Sequence, residues 1–154
     1  MERLKTRYTM AIPLLLCLLV LGAFMARAEG RGESAKPTLF INLTSGKEDL
    51  HAVTMAYQLA GHGLDAGREV VLFFNVRAPE LVEFSLSEEF RLRDNLPLRD
   101  MLANLMKRGA RVMVCPHCMG EMGVLESELV QGAEVAMRET LFAQLGPDAV
   151  VFTY

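Results

Sequence analysis

Four short apolar runs, separated by stretches of helical periodicity, constrain this chain more than any other feature. Thr38–Leu43 (TLFINL), Glu69–Val76 (EVVLFFNV), Ala110–Val114 (ARVMV) and Ala149–Tyr154 (AVVFTY) read as strands. The second is apolar almost throughout, as a strand covered on both faces must be. From Glu48 to about Gly61, Leu50, Val53, Tyr57 and Ala60 recur at helical spacing. Met101, Leu102, Leu105 and Met106 repeat the pattern within Leu98–Arg108, and Gly109 is a natural stop. Strands alternating with helices need right-handed crossovers. The expected fold is therefore three-layer α/β: a mostly parallel sheet of four to five strands with helices on both faces. Arg77–Leu96 fits least well, with Leu81, Phe84, Leu86 and Phe90 set among charges. The spacing of Val82, Phe84 and Leu86 suits an edge strand, a flap or an oligomer contact alike.

The chain has 154 residues, enough for one domain. Apolar residues make up 51% and charged residues 23%, a globular rather than a disordered composition. Three cysteines are too few for a disulfide scaffold. A formal charge of -3 and 7% aromatic residues argue against a nucleic-acid partner, which needs a basic face or stacking platforms.

Residues 1–28 have the order of a secretory signal peptide. Arg3, Lys5 and Arg7 make a basic start, the run from Tyr8 to Ala26 is uncharged, and Ala26-Arg27-Ala28 supplies the small-residue cleavage pattern. The strongly apolar part is shorter than the roughly 20 residues that span a bilayer core. Cleavage after Ala28 is expected, with export to the periplasm or beyond and no membrane attachment afterwards. Residues 29–36 then form a flexible lead-in to a single domain over 37–154. Removing residues 1–28 takes four basic and one acidic residue, which leaves a formal charge of -6 over 126 residues. Of the three cysteines only Cys115 and Cys118 remain, in what is then an oxidising environment.

Those two lie in Cys115-Pro116-His117-Cys118, directly after the third strand. In open parallel sheets, sites form where strand carboxyl ends meet the following helices. Pro116 suits a first helical position, so the spacing predicts a short helix over Pro116–Met122, closed by Gly123, with Cys115 as its N-cap. A sulfur there faces unpaired backbone N–H groups, and His117 adds positive charge; such surroundings favour thiolate. Cys118, one turn in, reads as the less exposed, resolving thiol. A structural disulfide is the plainer alternative, but so short a loop gains little from closure. Cys115, Cys118, His117 and Met119 also make a soft ligand set for Cu(I) or Zn(II), with Met122 nearby and Met113 in the strand core.

Other residues carry weaker signals. His51 lies near the start of the first helix, where it either caps, faces solvent or reaches the cysteines. His62 suits a helix end. Thr44-Ser45-Gly46-Lys47 has part of a phosphate-loop pattern, but its first glycine is missing and Glu48 stands where a hydroxyl is needed. Nucleotide binding is not expected, although the loop's amides sit at a strand end where they can line the sulfur site. Glu126, Glu128 and Glu134 read as a solvated acidic face.

CPHC occurs in thioredoxin-fold oxidants, but here it lies in the last third of the chain, preceded by Val114, with no later cis-proline strand to face it. Nearly the whole segment after residue 36 instead resembles the DsrE/DsrF-like family, particularly small exported members with a CPxC motif. The resemblance runs through LFINLTS at Leu39–Ser45, HAVTMA at His51–Ala56, VVLFFNV at Val70–Val76 and the stretch LRDMLANLMKRGARVMVCPHCMGEMGV ending at Val124. It is most specific at Gly109, Cys115 and Gly123. Relay members carry one acceptor cysteine eight residues before a glycine, and Cys115 has that spacing to Gly123. The resemblance implies sulfane-sulfur handling with Cys115 as persulfide carrier, a sulfurtransferase-like or thiol-redox activity, and no organic cofactor. It also implies a protein or small-thiol sulfur partner and a homo-oligomer, trimer or hexamer. Cys118 departs from the relay pattern and brings in thiol-disulfide chemistry, because it can attack a Cys115 persulfide and release sulfide.

Overall fold

A computed structural model of the chain describes residues 36–154. The expected signal segment and residues 29–35 of the lead-in lie outside the described residues. Five strands form one sheet: β1 (Thr38–Leu43), β2 (Glu69–Phe74), β3 (Arg111–Val114), β4 (Ala133–Val135) and β5 (Val150–Thr153). Their order is β4-β3-β2-β1-β5, and every neighbouring pair is parallel. Four helices connect them: α1 (Leu50–Asp65), α2 (Leu98–Lys107), α3 (Pro116–Met122) and α4 (Arg138–Phe142).

The strand order follows from the rule that crossovers are right-handed. Each step from β1 to β4 moves one place in the same direction, so the three connections share one face of the sheet. The step from β4 to β5 returns across the sheet and runs over the other face. Packing agrees. Val53 and Tyr57 of α1, Leu102 and Leu105 of α2, and Met119 of α3 join Ile41, Leu72 and Val112 in one large core. On the opposite face Phe40, Val71, Met113 and Ala136 make a small cluster, joined by Phe73 and Leu141 of α4. Both faces carry helices, as the alternation predicts, but very unequally.

β2 ends at Phe74, two residues short of its apolar run, and β3 and β5 are trimmed by a residue at one or both ends, but three regions depart furthest from the sequence pattern. Helix α1 continues through Gly61 to Asp65. Gly63 is buried against β1, where a Cβ would stand 2.5 Å from the Leu39 Cδ2 atom, so the glycine permits close helix–strand approach rather than ending the helix. Strand β4 is only three residues long and gave no apolar run to read. Its carboxyl end is tied to β3 by the Ala136 N–H, which donates to the Val114 carbonyl at 2.8 Å. The 77–96 segment forms a 3-10 helix over Ala78–Val82, and Glu83 then makes a single antiparallel bridge with Leu129. Leu81, Val82 and Leu86 are buried in the main core, whereas Phe84 is exposed.

At the amino end of α1, Asp49 accepts a hydrogen bond from the Ala52 N–H at 2.9 Å. At the carboxyl ends of the strands, Cys115 continues β3 by donating its N–H to the Phe74 carbonyl at 2.9 Å. Asn75 does the same from β2 to the Leu43 carbonyl at 3.0 Å. The sheet thus delivers both residues to one rim.

Candidate functional site

Helix α3 occupies the predicted residues. Pro116 stands at the first helical position, Cys115 is the N-cap in extended conformation, and Gly123 closes the helix at φ 74°. The Met119 N–H donates to the Cys115 carbonyl at 2.9 Å, which places the two cysteines at the start and in the first turn of the helix. Both are free and partly buried.

The amide donor at the site differs from the expected one. The Cys115 side chain makes no capping hydrogen bond to the helix. The backbone N–H that meets sulfur belongs to Val76, and it donates to Cys118 Sγ at 3.1 Å. Val76 follows β2 by two residues and has φ 55°. A β-branched side chain in the left-handed region is a steric outlier that costs on the order of 1–2 kcal/mol. That backbone turn is what directs the amide toward α3. Burial pushes the Cys118 thiol above its ordinary range and the adjacent Cys115 thiol pushes the same way, while the Val76 N–H pulls it down. The sequence offered no cue to Val76, because nothing about a valine in an apolar run announces a positive φ.

The rim around the thiols is built from the β1 and β2 ends. Asn75 donates its side-chain amide to Asn42 Oδ1, and Asn42 Nδ2 donates to Thr153 Oγ1 at 3.3 Å. This row ties β2, β1 and β5 together one residue before Val76. The Thr44–Lys47 loop does not lend its first amides to the sulfur site. The N–H groups of Thr44 and Ser45 donate to the Tyr154 carbonyl at 2.7 and 3.3 Å, and Thr44 Oγ1 donates to the same oxygen at 2.6 Å. The loop's contribution is steric and ionic. Gly46 lies so close to the Arg77 carbonyl that a Cβ would be 2.5 Å from the oxygen. Lys47 pairs with Glu80 at 3.1 Å and stands 5.4 Å from the centre of the Phe90 ring. These contacts fasten the turn after Val76 to the loop after β1.

Of the other predicted residues, His117 is exposed beside the cysteines on α3, and His51 is exposed in the first turn of α1, where Asp49 supplies the cap. Met119 is 5% exposed and packs in the main core, and Met113 is fully buried on the other face of the sheet. The ligand set of Cys115, Cys118, His117 and Met119 therefore has its methionine committed to packing. Among the described residues no group of three or more His, Cys, Asp or Glu side chains converges as a metal cage. Glu134 is exposed and pairs with Arg111 at 2.9 Å across the β3–β4 ladder, and Glu128 accepts from the Leu125 N–H at 2.9 Å. Neither faces the thiols as a paired carboxylate.

The fold is shared with solved structures. The crystal structure of the ychN protein from E. coli aligns with a TM-score of 0.57 at 16% identity, covering 77% of this chain and 99% of that one. MTH1491 from Methanobacterium thermoautotrophicum, itself described as a protein of unknown function, aligns with a TM-score of 0.56 at 10% identity, covering 76% and 97%. No curated protein matches the sequence. The DsrE/DsrF-like family model matches residues 38–152, from the start of β1 into β5. The five-stranded parallel sheet, its strand-end cysteine site and that match agree: the chain belongs to the DsrE/DsrF-like family, which is generally linked to sulfur relay.

Proposed function

We propose that this protein is an exported thiol protein that takes up sulfane sulfur on Cys115 and passes it on or releases it with the help of Cys118. The observation that carries the reading is the pair of free, partly buried thiols at the first turn of α3, one of them met by a backbone amide. In the uptake step the Cys115 thiolate attacks the outer sulfur of a persulfide donor. The new bond joins Cys115 Sγ to that sulfur, the donor's S–S bond breaks, and the donor leaves as a thiolate. In the release step the Cys118 thiolate attacks Cys115 Sγ, sulfide departs with the bonding electrons, and a Cys115–Cys118 disulfide remains. A dithiol reductant returns the pair to its starting state. Sulfur donor or acceptor is then a partner protein or a small thiol, and His117 supplies positive charge near the anionic sulfur.

Incubation of the reduced protein with a persulfide donor, followed by intact-mass measurement, tests the uptake step. Wild type gains one sulfur and Cys115→Ser gains none; an adduct that survives in Cys115→Ser rejects Cys115 as carrier. The release step has a pH signature. Burial holds Cys118 protonated above the ordinary thiol range, so the persulfide persists at neutral pH and sulfide release accelerates as pH rises past that range. A release rate that is flat across the alkaline range rejects Cys118 as the attacking group. A thiol-disulfide oxidoreductase is the second reading, favoured by Cys118 itself, and a reduction potential below about −300 mV, typical of inert structural disulfides, rejects it.

Export rests on residues 1–28, and amino-terminal sequencing of the secreted or periplasmic protein checks for cleavage after Ala28. The expected trimer or hexamer is supported by the exposed Met137, Phe142 and Val151 along the thinly covered side of the sheet, and sedimentation measures it.

A further inference from the structure

We infer that the thiols open onto a docking surface for a basic protein segment, one that sets lysine or arginine beside apolar side chains, and that anionic small thiols are disfavoured there. The inference narrows the sulfur partner of the proposed function and rests on that reading for the identity of the site. Its first support is apolar. Val76, whose N–H meets Cys118 Sγ, is 54% exposed. Met122 lies four residues beyond Cys118 on α3, hence on the same helical face, and is 37% exposed. Leu125 follows the helix at 60% exposure. Phe84, 64% exposed, is tied to the same turn: its N–H donates to the Glu128 carbonyl at 2.9 Å, and the Glu128 carboxylate accepts from the Leu125 N–H. The 3-10 helix Ala78–Val82, which runs between Val76 and Phe84, packs against α3, so these side chains border one surface. Exposed apolar residues gathered around a reactive pair mark a contact site.

The second support is charge. From Val112 to Met137 the chain has four glutamates and no lysine or arginine, and His117 is the one other ionisable side chain besides the cysteines. Glu121 lies three residues beyond Cys118 and so beside it on the helix. It stands in the last turn of α3, where the helix dipole disfavours a carboxylate. Among the described residues neither Glu121 nor Glu126 has an ion-pair partner. The neighbouring cations are occupied: Lys47 by Glu80 at 3.1 Å and Glu83 at 3.8 Å, Arg77 by Glu48 at 3.5 Å. An apolar patch edged by uncompensated carboxylates complements an apolar segment flanked by cations. The same carboxylates repel glutathione and other anionic thiols. They also oppose a second copy meeting this surface face to face, because a two-fold contact sets each glutamate against its own likeness.

Three peptides test this on the reduced full chain, each carrying its cysteine as a pyridyl disulfide: Lys-Leu-Cys-Leu-Lys, Glu-Leu-Cys-Leu-Glu and Lys-Ser-Cys-Ser-Lys. The protein thiolate bonds to the peptide sulfur and pyridinethione leaves, which is read optically. Each rate is divided by that with mercaptoethanol to remove intrinsic reactivity. In low salt the first peptide is expected to react about tenfold faster than the second, and the gap to close near about 1 M salt, where charges are screened within a few ångströms. Glu121→Gln combined with Glu126→Gln removes most of the gap without salt. The serine peptide, equally basic, reacts severalfold more slowly than the first, and Met122→Ser combined with Leu125→Ser abolishes that difference. Equal rates for the lysine and glutamate peptides, a gap insensitive to salt or to the glutamine pair, or no reaction with any peptide overturns the inference. So does a shift of Leu125→Ser to smaller species in sedimentation, which shows another copy on this surface. None of the peptides carries sulfane sulfur. A protein that takes up sulfur yet treats the three alike breaks this inference alone, and one that discriminates among them but takes up no sulfur breaks only the proposed function.

Discussion

The two faces of the sheet are built from the same strands and differ in what covers them. The face bearing Ile41, Leu43, Leu72, Phe74 and Val112 is sealed by α1, α2 and α3, and all five of these residues are fully buried. The face bearing Phe40, Val71, Phe73 and Met113 is crossed by a single connection whose only helix, α4, has five residues. Around it Phe142 is 63% and Val151 53% exposed. Topology alone produces this inequality, because three consecutive same-direction crossovers use up one side. Stability therefore resides on one face, while the other keeps apolar surface available for contact.

The largest test of that division is Leu72→Ala on the sealed face. It is expected to cost about 2–5 kcal/mol in chemical denaturation, since the surrounding helices cannot collapse into the void. A loss under about 1 kcal/mol contradicts the sealed-face account. The sealed face also contains a flaw. Tyr57 is buried to 1% exposure, and among the described residues its hydroxyl has no hydrogen-bond partner. Its ring meets Phe74 edge-on with centroids 6.3 Å apart, a contact that phenylalanine preserves. Tyr57→Phe is expected to stabilise by about 1 kcal/mol, the cost of an unsatisfied buried hydroxyl, and a destabilised variant reveals a partner for that oxygen. Next in size is Val76→Gly at the rim. Relief of the left-handed strain outweighs the added chain entropy by about 0.5 kcal/mol, so the melting temperature rises slightly while the N–H on Cys118 is kept. The smallest effect is expected on the open face, where Phe142→Ser changes monomer stability by less than about 0.5 kcal/mol. Its measurable consequence lies in sedimentation, as a shift toward smaller species.

Much of the architecture was legible in the sequence because the buried strands are continuous apolar runs. β1 stands where TLFINL predicted it, β2 and β3 fill most of the EVVLFFNV and ARVMV runs, and α3 has the bounds that Pro116 and Gly123 imply. β4 was not legible, since three residues with Glu134 at their centre carry no periodicity and pair only because β3 offers an edge. The helical pattern was legible only to about Gly61, whereas α1 continues through Gly63, where the structure needs close approach to β1, a feature that depends on what lies opposite. At the site, residue identity revealed the sulfurs but not their electrostatic partner. Cysteine is chemically conspicuous, whereas the donor to Cys118 is a main-chain group that any residue possesses, and its direction is set by a dihedral angle.

The place of β5 has a kinetic consequence. β1 lies inside the sheet, yet its outer neighbour is a strand about a hundred residues later along the chain, paired through Leu39–Val150 to Asn42–Thr153. The first four strands assemble through neighbours in sequence, whereas this last pairing closes the longest loop in the fold. Until it forms, one side of β1 presents unsatisfied peptide groups to whatever it meets. A nascent chain thus passes through a stage at which a nearly complete sheet is still open along β1, and the quickest remedy for that opening is its own carboxyl-terminal segment arriving in time.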